Sequence, residues 1–128
     1  MIPRLLVFDN TLDPTRYRPV EEWTRNFAGI AFDAVRVPLG EPIPALRGYT
    51  HLLITGSQAS AAGSSEPWIA AEADAVRQAA DLGLAILGSC FGHQLLALAI
   101  SGPRCVRRAP SPELGWIAVE IFATGGLL

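Results

Sequence analysis

The chain has 128 residues, of which 50% are apolar and 17% charged, with a net charge of −2. That is length and apolar content for one domain with its own core, and it excludes a disordered or solvating tail. All ten cationic side chains are arginine, and without a basic excess nucleic acid is excluded as a main partner, because phosphate neutralisation needs clustered cations.

The chain alternates short apolar runs with helical stretches. Leu5-Leu6-Val7-Phe8 within Pro3 to Asp9 predicts a buried strand ending in an Asp-Asn turn pair. Two prolines and three charges make Asn10 to Pro19 a loop, and Val20 to Gly29 reads as a short helix closed by its glycine. Asp33 to Pro38 suits a strand near an edge, and Glu41 to Gly48 is a connection. Leu52-Leu53-Ile54-Thr55-Gly56 predicts a second buried strand, followed by a small, polar loop from Ser57 to Glu66. Pro67 opens the strongest helix and Gly83 ends it. On a helical wheel Trp68, Ala71, Ala75, Ala79 and Leu82 share one face, opposite Asp74, Arg77, Gln78 and Asp81. Glu72 falls inside the apolar arc and is expected at its edge, with the carboxylate reaching solvent. Leu84 to Gly88 predicts another strand apolar on both faces, and His93 to Ile100 a helix. Such strands separated by helices predict a three-layer α/β fold around an open, mostly parallel sheet.

The two cysteines, Cys90 and Cys105, have no secretory context: the start lacks the charge and the apolar length of a signal peptide. The longest apolar segment, Leu84 to Ile100, holds Ser89, Cys90, His93 and Gln94 in its middle, which argues against a membrane span. A reduced, cytoplasmic protein is the expectation.

In open α/β sheets, ligands sit beyond the carboxyl ends of the strands. Gly88-Ser89-Cys90-Phe91-Gly92 occupies such an end as a small-x-nucleophile-x-small turn between a strand and a helix. A nucleophile at the tip of that turn requires strained backbone angles and leaves no room for neighbouring side chains, hence the glycines. The helix start supplies N–H groups and a positive dipole end, which favour a thiolate and let the N–H of Phe91 help bind an oxyanion. A buried, inert structural cysteine is the plainer alternative. A zinc set of Cys90, His93, Cys105 and His51 contains only one close pair, so no metal site is expected.

The run Gly88-Ser89-Cys90-Phe91-Gly92-His93-Gln94-Leu95-Leu96-Ala97 closely resembles the nucleophile elbow of class I, triad-type glutamine amidotransferases. Leu53-Ile54-Thr55-Gly56-Ser57, then Glu66-Pro67-Trp68-Ile69, resembles that family's strand and oxyanion loop with its following segment. Glu113-Leu114-Gly115-Trp116 resembles the stretch before the chain returns to the sheet. The resemblance covers most of residues 3 to 121. It implies a flavodoxin-like fold and hydrolysis of the glutamine side-chain amide to glutamate and ammonia, with no cofactor. It implies Cys90 as nucleophile, the backbone of Gly56, Ser57 and Phe91 as oxyanion hole, and Gln94 as a substrate contact. A synthase domain or subunit would receive the ammonia.

The family's triad also needs a histidine and a glutamate well downstream of the elbow, whereas no histidine follows His93 in these 128 residues. The chain therefore reads as the amino-terminal portion of such a domain, residues 1–128, with the carboxyl-terminal part missing. The uncharged tail from Phe122 to Leu128 forms no recognisable cap. His93, one turn along the elbow helix, and His51, at the amino end of a strand, are poorly placed to act as base, so impaired glutamine hydrolysis is expected. A γ-glutamyl peptidase-type cysteine hydrolase and an inactive glutamine-binding protein are the alternatives. A sheet that ends early also predicts self-association or a complementing chain.

Overall fold

The computed structural model describes residues 1–120 and Phe122. Four strands, β1 (Arg4–Phe8), β2 (Ala31–Val35), β3 (His51–Ile54) and β4 (Ala85–Gly88), form one sheet in the order β2-β1-β3-β4. Every neighbouring pair is parallel, with Phe8 opposite Val35 and Ile54, and Ile54 opposite Gly88, so the carboxyl ends of all four strands lie together. The helices are α1 (Pro19–Thr24), α2 (Pro67–Asp81) and α3 (Phe91–Ser101). Short 3-10 turns occupy Val37–Leu39 and Pro103–Cys105. The architecture is the expected flavodoxin-like α/β fold.

Alternation along the strands divides the core in two. Leu6, Phe8, Leu52 and Ile54 face α2 and α3 and join Ile69, Val76, Phe91 and Leu95 in the main core. Leu5, Val7 and Leu53 face the other way and, among the described residues, pack against Val20, Trp23 and Phe27, on and just after α1. Among the described residues the second layer is therefore thin and covers the middle of the sheet alone.

Four expectations need correction. Helix α1 stops at Thr24 rather than Gly29, because the next turn tightens: Asn26 and Phe27 donate to the carbonyls of Trp23 and Thr24, three residues back. The buried side of α2 carries Ile69, Glu72, Ala73, Ala75, Val76 and Ala79, while Ala71 and Leu82 are exposed. The many alanines leave the helical wheel nearly degenerate, and the bulkier Ile69 and Val76 decide which side faces the core. Strand β4 is open on one face, with Leu87 45% exposed, because it is an edge strand among the described residues and α1 does not reach it. Glu72 lies fully inside rather than at the edge of its helix face.

Residues 107–120 form neither helix nor strand, and Leu114 and Trp116 are exposed, so the segment after the elbow helix does not rejoin the sheet within the described residues. The tail read as lacking a cap lies, Phe122 apart, outside them. Among the described residues no helix is long and apolar enough to cross a membrane.

Candidate active site

Cys90 caps α3 at φ 54° and ψ −114°, and among the described residues it is the one non-glycine with a positive φ. That backbone region is costly for any residue with a Cβ, and it persists only where the surroundings hold it. The surroundings here are tight. A Cβ at Gly88 would lie 2.4 Å from the carbonyl oxygen of Gly92, and a Cβ at Gly92 would lie 2.0 Å from that of Ile54. The Ile54 carbonyl also accepts the N–H of Ser89 at 3.0 Å, which pins the strand-to-helix turn against β3. The two glycines of the elbow are thus required by close backbone approach, as the sequence implies, and the thiol-bearing residue between them is exposed.

Beyond Cys90 the chain enters α3 at once. Gly92 donates to Ser89, and His93 and Gln94 donate to the carbonyl of Cys90, whereas the N–H of Phe91 takes no backbone acceptor among the described residues. Its ring, 1% exposed, packs on Trp68 with centroids 5.4 Å apart. Gln94 stands exposed on the first turn of α3, as does His93. His51 begins β3 opposite Ala85, at the far end of the sheet from Ile54 and Gly88. Its Nδ1 lies 2.6 Å from the Thr50 hydroxyl oxygen.

The loop after β3 comes to the elbow. A Cβ on Gly56 would sit 3.5 Å from the Cys90 Cβ, so the backbone of Gly56 passes directly beside the nucleophile position. Ser57, half-buried, turns its Oγ back to accept the N–H of Ala59 at 3.0 Å, leaving the local backbone braced. Of the residues singled out from sequence, Cys90, Phe91 and Gly56 converge, with Ser57 adjoining them in the chain, while Gln94 lies one turn along the helix.

Two groups near this loop are absent from the sequence reading. The Tyr17 hydroxyl lies 2.9 Å from where a Gly56 Cβ would be. Burial, then the negative charges of Glu22, Cys90 and Asp9, raise its pKa above the usual 10.0. Nothing local marks Tyr17, because a proline-bearing loop carries it to the site. The second group is a lacing between the loops after β1 and β3. Asn10 donates its N–H to Thr55 Oγ1 at 2.9 Å, Thr55 donates its own to the Phe8 carbonyl, and Leu12 donates to Gln58 Oε1 at 2.8 Å. Asn10 in turn holds Glu72 through Nδ2···Oε2 at 2.9 Å.

Two clefts, of 400 and 240 Å³, are lined respectively by Arg4, Asp33 and Tyr49 and by Asp9, Tyr17 and Arg36 among others, and neither takes Cys90 into its walls. The described residues contain no cluster of three or more His, Cys, Asp or Glu side chains arranged to hold a metal. What the site offers chemically is an exposed thiol at a helix start, one uncommitted N–H beside it, and a close, braced backbone loop.

No family model matches the chain. It is 37% identical over 90 residues to the glutamine-hydrolyzing GMP synthase of Aeropyrum pernix, which is 70% of this chain and 15% of that one. To gamma-glutamyl peptidase 4 of Arabidopsis thaliana it is 36% identical over 89 residues, or 67% of this chain and 34% of the peptidase. Among solved structures, a glutamine amido transferase from Methylobacillus flagellatus superposes with a TM-score of 0.62 at 24% identity, covering 79% of this chain and 39% of that one. A glutamine amidotransferase from Thermotoga maritima gives 0.63 at 19% identity, covering 79% and 44%. The chain thus spans less than half the length of each of these proteins. In fold the chain is similar to glutamine amidotransferases, and in sequence to part of a glutamine-hydrolyzing GMP synthase and part of a γ-glutamyl peptidase.

Proposed function

We propose that these residues build the nucleophile side of a glutaminase site. Cys90 attacks the side-chain amide carbon of glutamine, the N–H groups of Phe91 and of the Gly56–Ser57 loop hold the oxyanion, and Gln94 contacts the substrate. Ammonia leaves and water hydrolyses the glutamyl thioester. The observation that carries this reading is the backbone of Cys90, held at φ 54° between two glycines that admit no side chain. No base stands beside Cys90 in these 128 residues: no histidine follows His93, and His51 begins its strand at the opposite end of the sheet. On its own the chain therefore turns glutamine over slowly, by a factor on the order of 10⁴ for the loss of a triad partner.

The test is intact mass after exposure to a glutamine-mimicking diazoketone, with and without glutamine. A single adduct on Cys90, suppressed by glutamine, is the expected result. No adduct, while a small alkylator still modifies Cys90, would show an elbow without a substrate site and sink the reading. The likeness to a plant γ-glutamyl peptidase supports a second reading, a hydrolase of γ-glutamyl bonds, and suppression by a γ-glutamyl dipeptide but not by glutamine would favour it. Binding without any turnover marks a third, an inactive glutamine-binding protein.

The protein works in the reducing cytoplasm, where Cys90 and Cys105 stay free, and its ammonia passes to a synthase domain or subunit. The exposed face of β4 around Leu87 and the exposed Phe32 on β2 support association with a second copy or a complementing chain. Sedimentation at rising concentration should show mass growing beyond one chain. A single monomeric boundary throughout would count against self-association.

A further inference from the structure

Glu72 and Asn10 are both fully buried, and they come from elements 62 residues apart in the chain. One hydrogen bond joins them, from Asn10 Nδ2 to Glu72 Oε2. The amide oxygen of Asn10, Oδ1, and the second carboxyl oxygen of Glu72, Oε1, are buried without a partner. Two orphan acceptors in one buried pair are costly, because a buried polar atom without a partner forfeits the hydrogen bonds it made to water. A carboxylate has no hydrogen to offer, but a carboxylic acid has one. A single proton on Glu72 Oε1, donated to Asn10 Oδ1, would close a two-bond ring between acid and amide and satisfy both atoms.

We propose that Glu72 is a neutral carboxylic acid in the folded protein, doubly hydrogen-bonded to Asn10, and that this pair positions the Thr55–Ser57 loop beside Cys90. The route is short: Glu72 holds the Asn10 side chain, and the N–H of Asn10 holds Thr55 Oγ1, next to Gly56. Glu72 is a positioning residue and touches no substrate. The positioning part rests on Gly56 and Ser57 belonging to the oxyanion site, whereas the protonation part stands without it.

Electrostatics agree with the geometry. Burial pushes the Glu72 carboxyl up to about 8 from 4.5, opposed only by the Asn10 bond. Asp9 and Arg36, the charged groups flanking Asn10, pair with each other at 3.2 Å. On α2 itself Asp74 and Arg77 pair at the surface, α3 brings only the exposed His93, and β4 and the Val37–Leu39 turn carry no ionisable side chain. The folded state thus binds a proton that the unfolded chain releases between pH 4.5 and about 8. The stabilisation is full below that window and is lost as pH rises through it.

Glu72→Gln offers both hydrogen bonds with no proton to lose, and Glu72→Ala offers neither. Urea denaturation between about pH 5 and pH 9 should show wild type losing stability relative to Glu72→Gln as pH rises. Parallel curves would overturn the protonated pair. Amide exchange at Gly56 and Ser57 should quicken on the order of tenfold in Glu72→Ala, the size expected for one lost buried bond, and stay at the wild-type rate in Glu72→Gln. Equal acceleration in both variants, or none in either, would overturn the positioning role. Should Glu72→Ala fail to fold, isotope-edited infrared spectra of wild type still decide the protonation. A carboxylic-acid carbonyl band at neutral pH, absent from Glu72→Gln, is expected, and its absence from wild type would refute the proposal. None of these readouts depends on glutamine, so a failure here is distinct from a failure of the glutaminase reading.

Discussion

Gly92→Ala destroys the elbow. The added methyl group would sit 2.0 Å from the carbonyl oxygen of Ile54, a central-strand atom already fixed by its bond from Ser89. Neither partner can retreat without breaking a strand pairing or unwinding the start of α3. The expected loss is at least about 3 kcal/mol, the scale of severe overpacking. Urea denaturation of the variant checks it, with Gly83→Ala as the comparison. Gly83 has φ +77° but open space around it, so its substitution tests backbone conformation alone and should cost about 1 kcal/mol. Equal losses in the two variants would mean that the close approach of α3 to β3 is not what requires a glycine.

Phe91→Ala should cost about 3–5 kcal/mol, the range for emptying a buried aromatic site. The ring is 1% exposed, touches Trp68 and sits in the main core between α2 and α3. Its backbone N–H, in contrast, survives the substitution unchanged. Stability and site chemistry should therefore separate: the midpoint of thermal unfolding falls steeply, while the fraction that remains folded still forms the Cys90 adduct with the diazoketone. An adduct lost in proportion to nothing but the side chain, with the fold intact, would show that the ring itself shapes the substrate site.

These two residues also show how much a sequence alone discloses. The demands of the elbow are local, since a strained tip and two flanking glycines fall within five residues, and Gly88, Cys90 and Gly92 were legible for that reason. The β1 and β3 strands were legible because Leu5–Phe8 and Leu52–Ile54 are apolar at every position, and a parallel central strand buries both faces. Leu84 to Gly88 has the same pattern, yet β4 is open on one face, because burial depends on neighbours that a strand's own residues do not specify. Glu72 was expected in water for a similar reason. Its partner Asn10 comes from the far end of β1, and only the folded chain brings amide and carboxyl together. Tyr17 was missed altogether, since its loop has no periodicity and only tertiary packing carries the hydroxyl to Gly56.

Because each of the four strands runs parallel to its neighbours, none of their pairings is local. Leu5 waits for Phe32 on one side and for His51 on the other, and β3 waits for Ala85 to Gly88. Among the described residues there is no hairpin to nucleate the sheet, so loop-closure entropy must be spent before any strand contact rewards it. The apolar run Leu5–Phe8 is made before both of its partner strands, so its edges are open to another chain until β2 and β3 follow. Topology thus sets an interval of exposure that ends when β3 arrives beside β1.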